Sequence, residues 1–99
     1  MYIALYEFKV HAGLEEQFEK NWHIVTEAIY RHRGSLGSRL HKSSDGIYIA
    51  YAQWPSEKQY NADIPLSNDI MPFHKLMKDA CENISTLRTM TVTDDLLKD

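Results

Sequence analysis

The feature that most constrains this chain is the run Ile47 to Trp54, eight residues without a formal charge. Strand side chains alternate, so Ile47, Ile49 and Tyr51 share one face while Tyr48, Ala50, Ala52 and Trp54 share the other. A strand apolar on both faces has to be covered on both. Pro55 then stops the pairing, because it has no N–H to donate. Ser56 and Gln59 stand at the S-x-x-Q spacing of a capping box, which starts a helix at once. Trp54 is thereby set at the C-terminal end of a strand, beside a helix N-terminus.

The flanking segments supply the covers. Tyr2 to Val10 alternates as a first strand, with Tyr2, Ala4, Tyr6, Phe8 and Val10 on one face and Ile3, Leu5, Glu7 and Lys9 on the other. Leu14, Phe18, Trp22, Val25 and Ile29 recur at helical spacing. Glu15 and Glu16 open that helix, Arg31, His32 and Arg33 close it, and each group opposes the dipole end it sits on. Gly34 gives the left-handed stop. Ser35 to Lys42 reads as a second strand, and Asp45-Gly46 turns it into the central one. The helix begun at Ser56 runs to Ala62 or Asp63, where Pro65 breaks it; Asn68 or Asp69 caps a new helix with Pro72 in its first turn. The stripe of that helix is Ile70, Phe73, Met77, Ala80, Cys81 and Ile84. Ser85 to Thr93 is the last strand, and the segment from Asp94 is an acidic tail, free to move or to lie over a neighbour.

The order β-α-β-β-α-β is that of an α+β, ferredoxin-like fold: a four-stranded antiparallel sheet with two helices on one face. Two helices cover one side only, yet the first and third strands are largely apolar on both. The simplest second cover is another copy, sheet against sheet, in a homodimer. Ninety-nine residues, 43% hydrophobic and 25% charged, make a single domain over 1–99. A net charge of -3 disfavours nucleic acid as the main partner. The one cysteine, Cys81, cannot pair internally, which points to a reducing, cytoplasmic setting. The first residues are too short and too charged for a signal peptide, and no apolar run approaches membrane-spanning length.

With these residues in view, the chain resembles the antibiotic biosynthesis monooxygenase (ABM) family of dimeric α+β barrels. The segments that carry the resemblance are GSLGSRLHKSSDG (Gly34 to Gly46) and AYAQWPS (Ala50 to Ser56), and the likeness runs over essentially the whole chain. The family is chemically mixed, with cofactor-independent oxygenases of polycyclic phenols, haem degraders, a signal-molecule isomerase and members without known activity. The resemblance implies that Trp54 lines a substrate pocket and that Tyr60 holds the substrate. The asparagine some oxygenases carry four residues before the tryptophan is Ala50 here. Against the haem degraders, Trp54 and His74 match, while Tyr6 stands where those enzymes carry a first-strand asparagine. Three activities follow as expectations. These are a cofactor-independent monooxygenase of a small aromatic or quinone-like compound, a haem-binding and haem-degrading enzyme, or a non-catalytic dimeric small-molecule binder.

His74 is the foremost chemical candidate. It sits at the edge of the Ile70-Met77-Cys81 stripe, where a histidine is either a general base with a pKa near neutrality or a boundary residue half in solvent. The family resemblance adds a third role, an axial haem ligand. Trp54 is a pocket wall or plain core. Tyr6, Tyr48, Tyr51 and Tyr60 can bring several phenols near one cavity, although Tyr51 is on the opposite strand face from Tyr48, or they simply reflect β-propensity. Arg39 and Arg88, within strands, either receive a carboxylate or phenolate or serve as surface and dimer contacts. No spacing suggests a metal site or a phosphate loop, so no metal or nucleotide is expected.

Overall fold

A computed structural model describes residues 1–98. Its elements follow the order β1 (Tyr2–Val10), α1 (Glu15–Arg33), β2 (Gly37–Ser44), β3 (Ile47–Trp54), α2 (Glu57–Tyr60), α3 (Met71–Asp79) and β4 (Cys81–Thr91). The strands form one antiparallel sheet in the order β2-β3-β1-β4, the ferredoxin-like arrangement that the pattern implies. β1 and β3 lie at its centre, paired from Tyr2–Trp54 to Lys9–Ile47.

Alternation decides the core. Phe8, Val10, Tyr48 and Ala50 meet Phe18 and Val25 of α1 and Met77 of α3, all buried. The rings of Phe8, Phe18 and Tyr48 are tilted at centroid distances of 5.0 and 4.9 Å, a geometry that suits their quadrupoles. At the other end of the same face, Tyr2, Ala4, Ala52 and Trp54 form a second buried cluster. The small residues Ala4, Ala50 and Ala52 keep the centre of the sheet low, and that is what leaves room above it.

Several boundaries differ from the sequence expectation. β2 starts at Gly37 rather than Ser35, because the Ser35 side chain turns back to hydrogen-bond the Gly37 N–H and the Gln53 carbonyl. The cap at Ser56 forms, its hydroxyl accepting from the Gln59 N–H, but the Gln59 side chain donates to the Arg33 carbonyl instead of closing the box. α2 therefore stops at Tyr60 after a single turn. α3 is preceded by Ile70, with no side-chain cap from Asn68 or Asp69. It ends at Asp79, so Cys81 and Ile84 belong to β4: β1 pairs out to Val10–Cys81 and Phe8–Ile84, and that ladder outcompetes further helix.

The outer face of the sheet carries Leu5, Ile47, Ile49 and Tyr51, all half-buried, with no helix over them. Residues Asp94 to Leu97 border a groove shared with Ile3, Tyr51 and Gln53. Among the described residues, no helix is long and apolar enough to cross a membrane.

Candidate functional site

Between the helices and the low centre of the sheet lies a cavity of about 400 Å³. Its floor is Tyr6 and Phe8 of β1 with Ala50, Ala52 and Trp54 of β3. Trp22, Val25 and Ile29 of α1 form one wall, and His74, Met77 and Lys78 of α3 form the other. A helix places residues four apart on one side, so His74 and Lys78 both border the cavity with Met77 between them. The space is mostly apolar with few polar groups, the usual character of a small-molecule site.

Trp54, Tyr6 and His74 thus open on one cavity. Tyr60 stands behind them rather than in the wall. Its ring meets Trp54 edge-on at 5.7 Å and Tyr2 at 5.4 Å, and its hydroxyl accepts from Tyr6 at 3.4 Å. Arg88 is not brought in. It pairs with Leu5, whose side chain is on the outer face, so it lies across the sheet from the cavity. Arg39 pairs with Tyr51 on that same outer face. Tyr48 is buried in the core, and its hydroxyl donates to Glu19.

Two properties give the site its chemistry. Burial, then the charges of Lys78 and Arg33, holds the His74 pKa below its ordinary value of 6.5, so the imidazole is neutral at neutral pH and free to accept a proton. Burial and the hydrogen bond to Tyr60 raise the Tyr6 pKa, which keeps that phenol protonated. The Trp54 indole Nε1 is fully buried and has no acceptor among the described residues, an uncommon state for a strong donor.

Sequence reading missed Trp22, Lys78 and Arg33 as members of this environment. Trp22 was absorbed into a core stripe, and Arg33 into the helix dipole. Lys78 was legible as the i+4 neighbour of His74.

The cavity is narrow for a haem, although His74 borders it. The volume is at the small end of ligand cavities, and the bulky Trp22, Trp54 and Met77 border it on three sides. Among the described residues there is no cluster of three or more histidine, cysteine or acidic side chains that could hold a metal.

No protein-family model matches the sequence, and no curated protein matches it. Solved structures do. SnoaB, a cofactor-independent oxygenase from Streptomyces nogalater, superposes with a TM-score of 0.76 at 16% identity, over 98% of this chain and 97% of its own. This chain has the antibiotic biosynthesis monooxygenase fold. A Bordetella bronchiseptica protein named for that group gives a TM-score of 0.75 at 20% identity, over 93% and 96% of the two chains. A Deinococcus radiodurans protein named likewise gives 0.75 at 10% identity, over 100% and 99%. In this ABM fold the cavity lies between the sheet and α1 and α3, with Trp54 at the end of β3.

Proposed function

We propose that the protein is a cofactor-independent monooxygenase of a small aromatic or quinone-like compound. The observation that carries this reading is the convergence of His74, Trp54 and Tyr6 on one apolar cavity. The fold it shares with SnoaB, itself described as a cofactor-independent oxygenase, supports the same reading.

The chemistry asks little of the protein beyond desolvation, orientation and one proton transfer. Neutral His74 takes a proton from the bound substrate. The resulting electron-rich anion passes one electron to O₂, the radical pair joins at an activated ring carbon that bears a hydrogen, and the peroxide anion takes the proton back from His74 to give a hydroperoxide. Loss of water from that hydroperoxide leaves a carbonyl. Trp54 walls the cavity, and Tyr60, hydrogen-bonded by Tyr6, packs edge-on against its ring and holds it in place. No step uses haem.

We also propose that the active unit is a cytoplasmic homodimer joined through the uncovered sheet faces, with Arg39 and Arg88 at or beside that contact. Leu5, Ile49 and Tyr51 on the outer face support it.

Oxygen uptake with a panel of hydroquinones and phenols tests the activity. Uptake by the wild type should fall by about 10²-fold or more in His74→Ala, the usual contribution of a general base. Binding without uptake would instead identify a non-catalytic carrier, and equal uptake by the two proteins would remove His74 from the chemistry.

A further inference from the structure

The polar groups on the cavity wall are unevenly placed. In the sheet order β2-β3-β1-β4 the two long helices sit over opposite halves, α1 touching β2 and α3 touching β4. His74 therefore borders the cavity from the β4 side. Ser35 and Ser38 border it from the β2 side, and Ser38 is on the inner face because it pairs with buried Ala52. The Ser38 hydroxyl donates to the Tyr51 carbonyl at 3.1 Å, and the Ser35 hydroxyl to the Gln53 carbonyl at 3.4 Å. A carbonyl can only accept, so the direction of both bonds is fixed. Ser35 also accepts from the Gly37 N–H at 3.0 Å, which occupies one of its lone pairs. No described residue donates to Ser38, whose lone pairs stay free.

We infer that Ser38 is a specificity-determining residue: its hydroxyl accepts a hydrogen bond from a second donor on the substrate, at the end of the ring away from the group that His74 deprotonates. This rests on the proposed aromatic substrate and adds to it the residue that reads one ring position. A hydroxyl whose proton is tied to the backbone meets a ligand only with its lone pairs. An O–H or N–H on the substrate completes it, and a fluorine or bare C–H at the same place does not. A carbonyl oxygen there is turned away unless Ser38 gives up its bond to Tyr51, which would leave that carbonyl short of a donor. Thr26, on the α1 wall, bonds no carbonyl through its side chain among the described residues, so its hydroxyl turns either way and discriminates neither kind of group. The discrimination belongs to β2.

The test is anaerobic calorimetry with 1,5-dihydroxynaphthalene, 5-amino-1-naphthol, 5-fluoro-1-naphthol and 1-naphthol. All of them offer His74 the same hydroxyl, and only the diol and the amine carry a second donor. The wild type should bind those two about three- to tenfold more tightly than the others, the worth of one neutral hydrogen bond. Ser38→Ala should bind the whole series alike, at the wild-type affinity for 1-naphthol. Ser38→Thr, which keeps a hydroxyl on a residue suited to a strand, should restore the preference. Equal binding of the series by the wild type, or a preference that survives in Ser38→Ala, overturns the assignment and leaves the aromatic site standing. A loss of 1-naphthol affinity in Ser38→Ala makes Ser38 a structural residue and overturns it too. Binding of none of the compounds by the wild type overturns both proposals.

Discussion

His74 owes its chemistry to what surrounds it rather than to its type. A histidine in water is half protonated near pH 6.5; here burial comes first and the charges of Lys78 and Arg33 second, and all three favour the neutral ring. The sign of the consequence is definite. A base must be unprotonated, so kcat/KM rises with pH through the pKa of the free enzyme. Because that pKa is lowered, the acid limb falls below pH 6.5, with a plateau across neutrality. Removing one of the cations in Lys78→Gln moves the limb upward, toward the ordinary value. A pH–rate series on the two proteins checks this, and a limb unmoved by the substitution would mean that another group titrates. Cys81 offers no comparable chemistry: burial pushes its thiol up to about 11, so it stays protonated and inert.

At the scale of elements, the turns and strand ends do more than connect. Gly46 has φ +74°, and an added Cβ would stand 2.9 Å from the Val10 carbonyl oxygen, next to the hydrogen bond by which the Val10 N–H donates to the Gly46 carbonyl. The backbone conformation alone costs a residue with a Cβ about 1–2 kcal/mol. Gly46→Ala should therefore lower Tm by at least about 4 °C in thermal unfolding, and an unchanged Tm would show that the β2–β3 turn relaxes freely. The same elements show what sequence could convey. The period-2 alternation of Tyr2 to Val10 and Ile47 to Trp54 and the period of α1 were legible, because burial of one face imposes them directly. The end of α3 was not. Ala80, Cys81 and Ile84 continue a helical spacing, and only the unpaired edge of β1, invisible in a linear reading, draws Cys81 onward into a strand. Nor was the true partner of Gln59 legible, since the Arg33 carbonyl it binds is 26 residues away.

For the whole molecule, the face count is the strongest deduction. The helices cover the face of Phe8, Tyr48 and Ala50, and the other face keeps Leu5, Ile49 and Tyr51 without a helix. Light scattering on a sizing column should give twice the 11.6 kDa chain mass, and Ile49→Lys, a charge set in that face, should return the monomer. A monomeric wild type would contradict the dimer. The site is also a property of the whole fold, since its walls come from β1, α1, β2, β3, α3 and β4. Its placement was half legible: Trp54, Tyr6 and His74 meet there, Tyr60 supports them from behind, and Arg88 lies across the sheet because a strand residue's face follows from register. The most direct test of this account is an anaerobic NMR titration with a naphthohydroquinone, following the histidine rings and the indole N–H signals. The His74 ring and the Trp54 Nε1–H should shift together along one binding curve while His11, His23, His32 and His41, which do not border the cavity, stay in place. Shifts at one of the two without the other, or at neither, would contradict a shared ligand cavity.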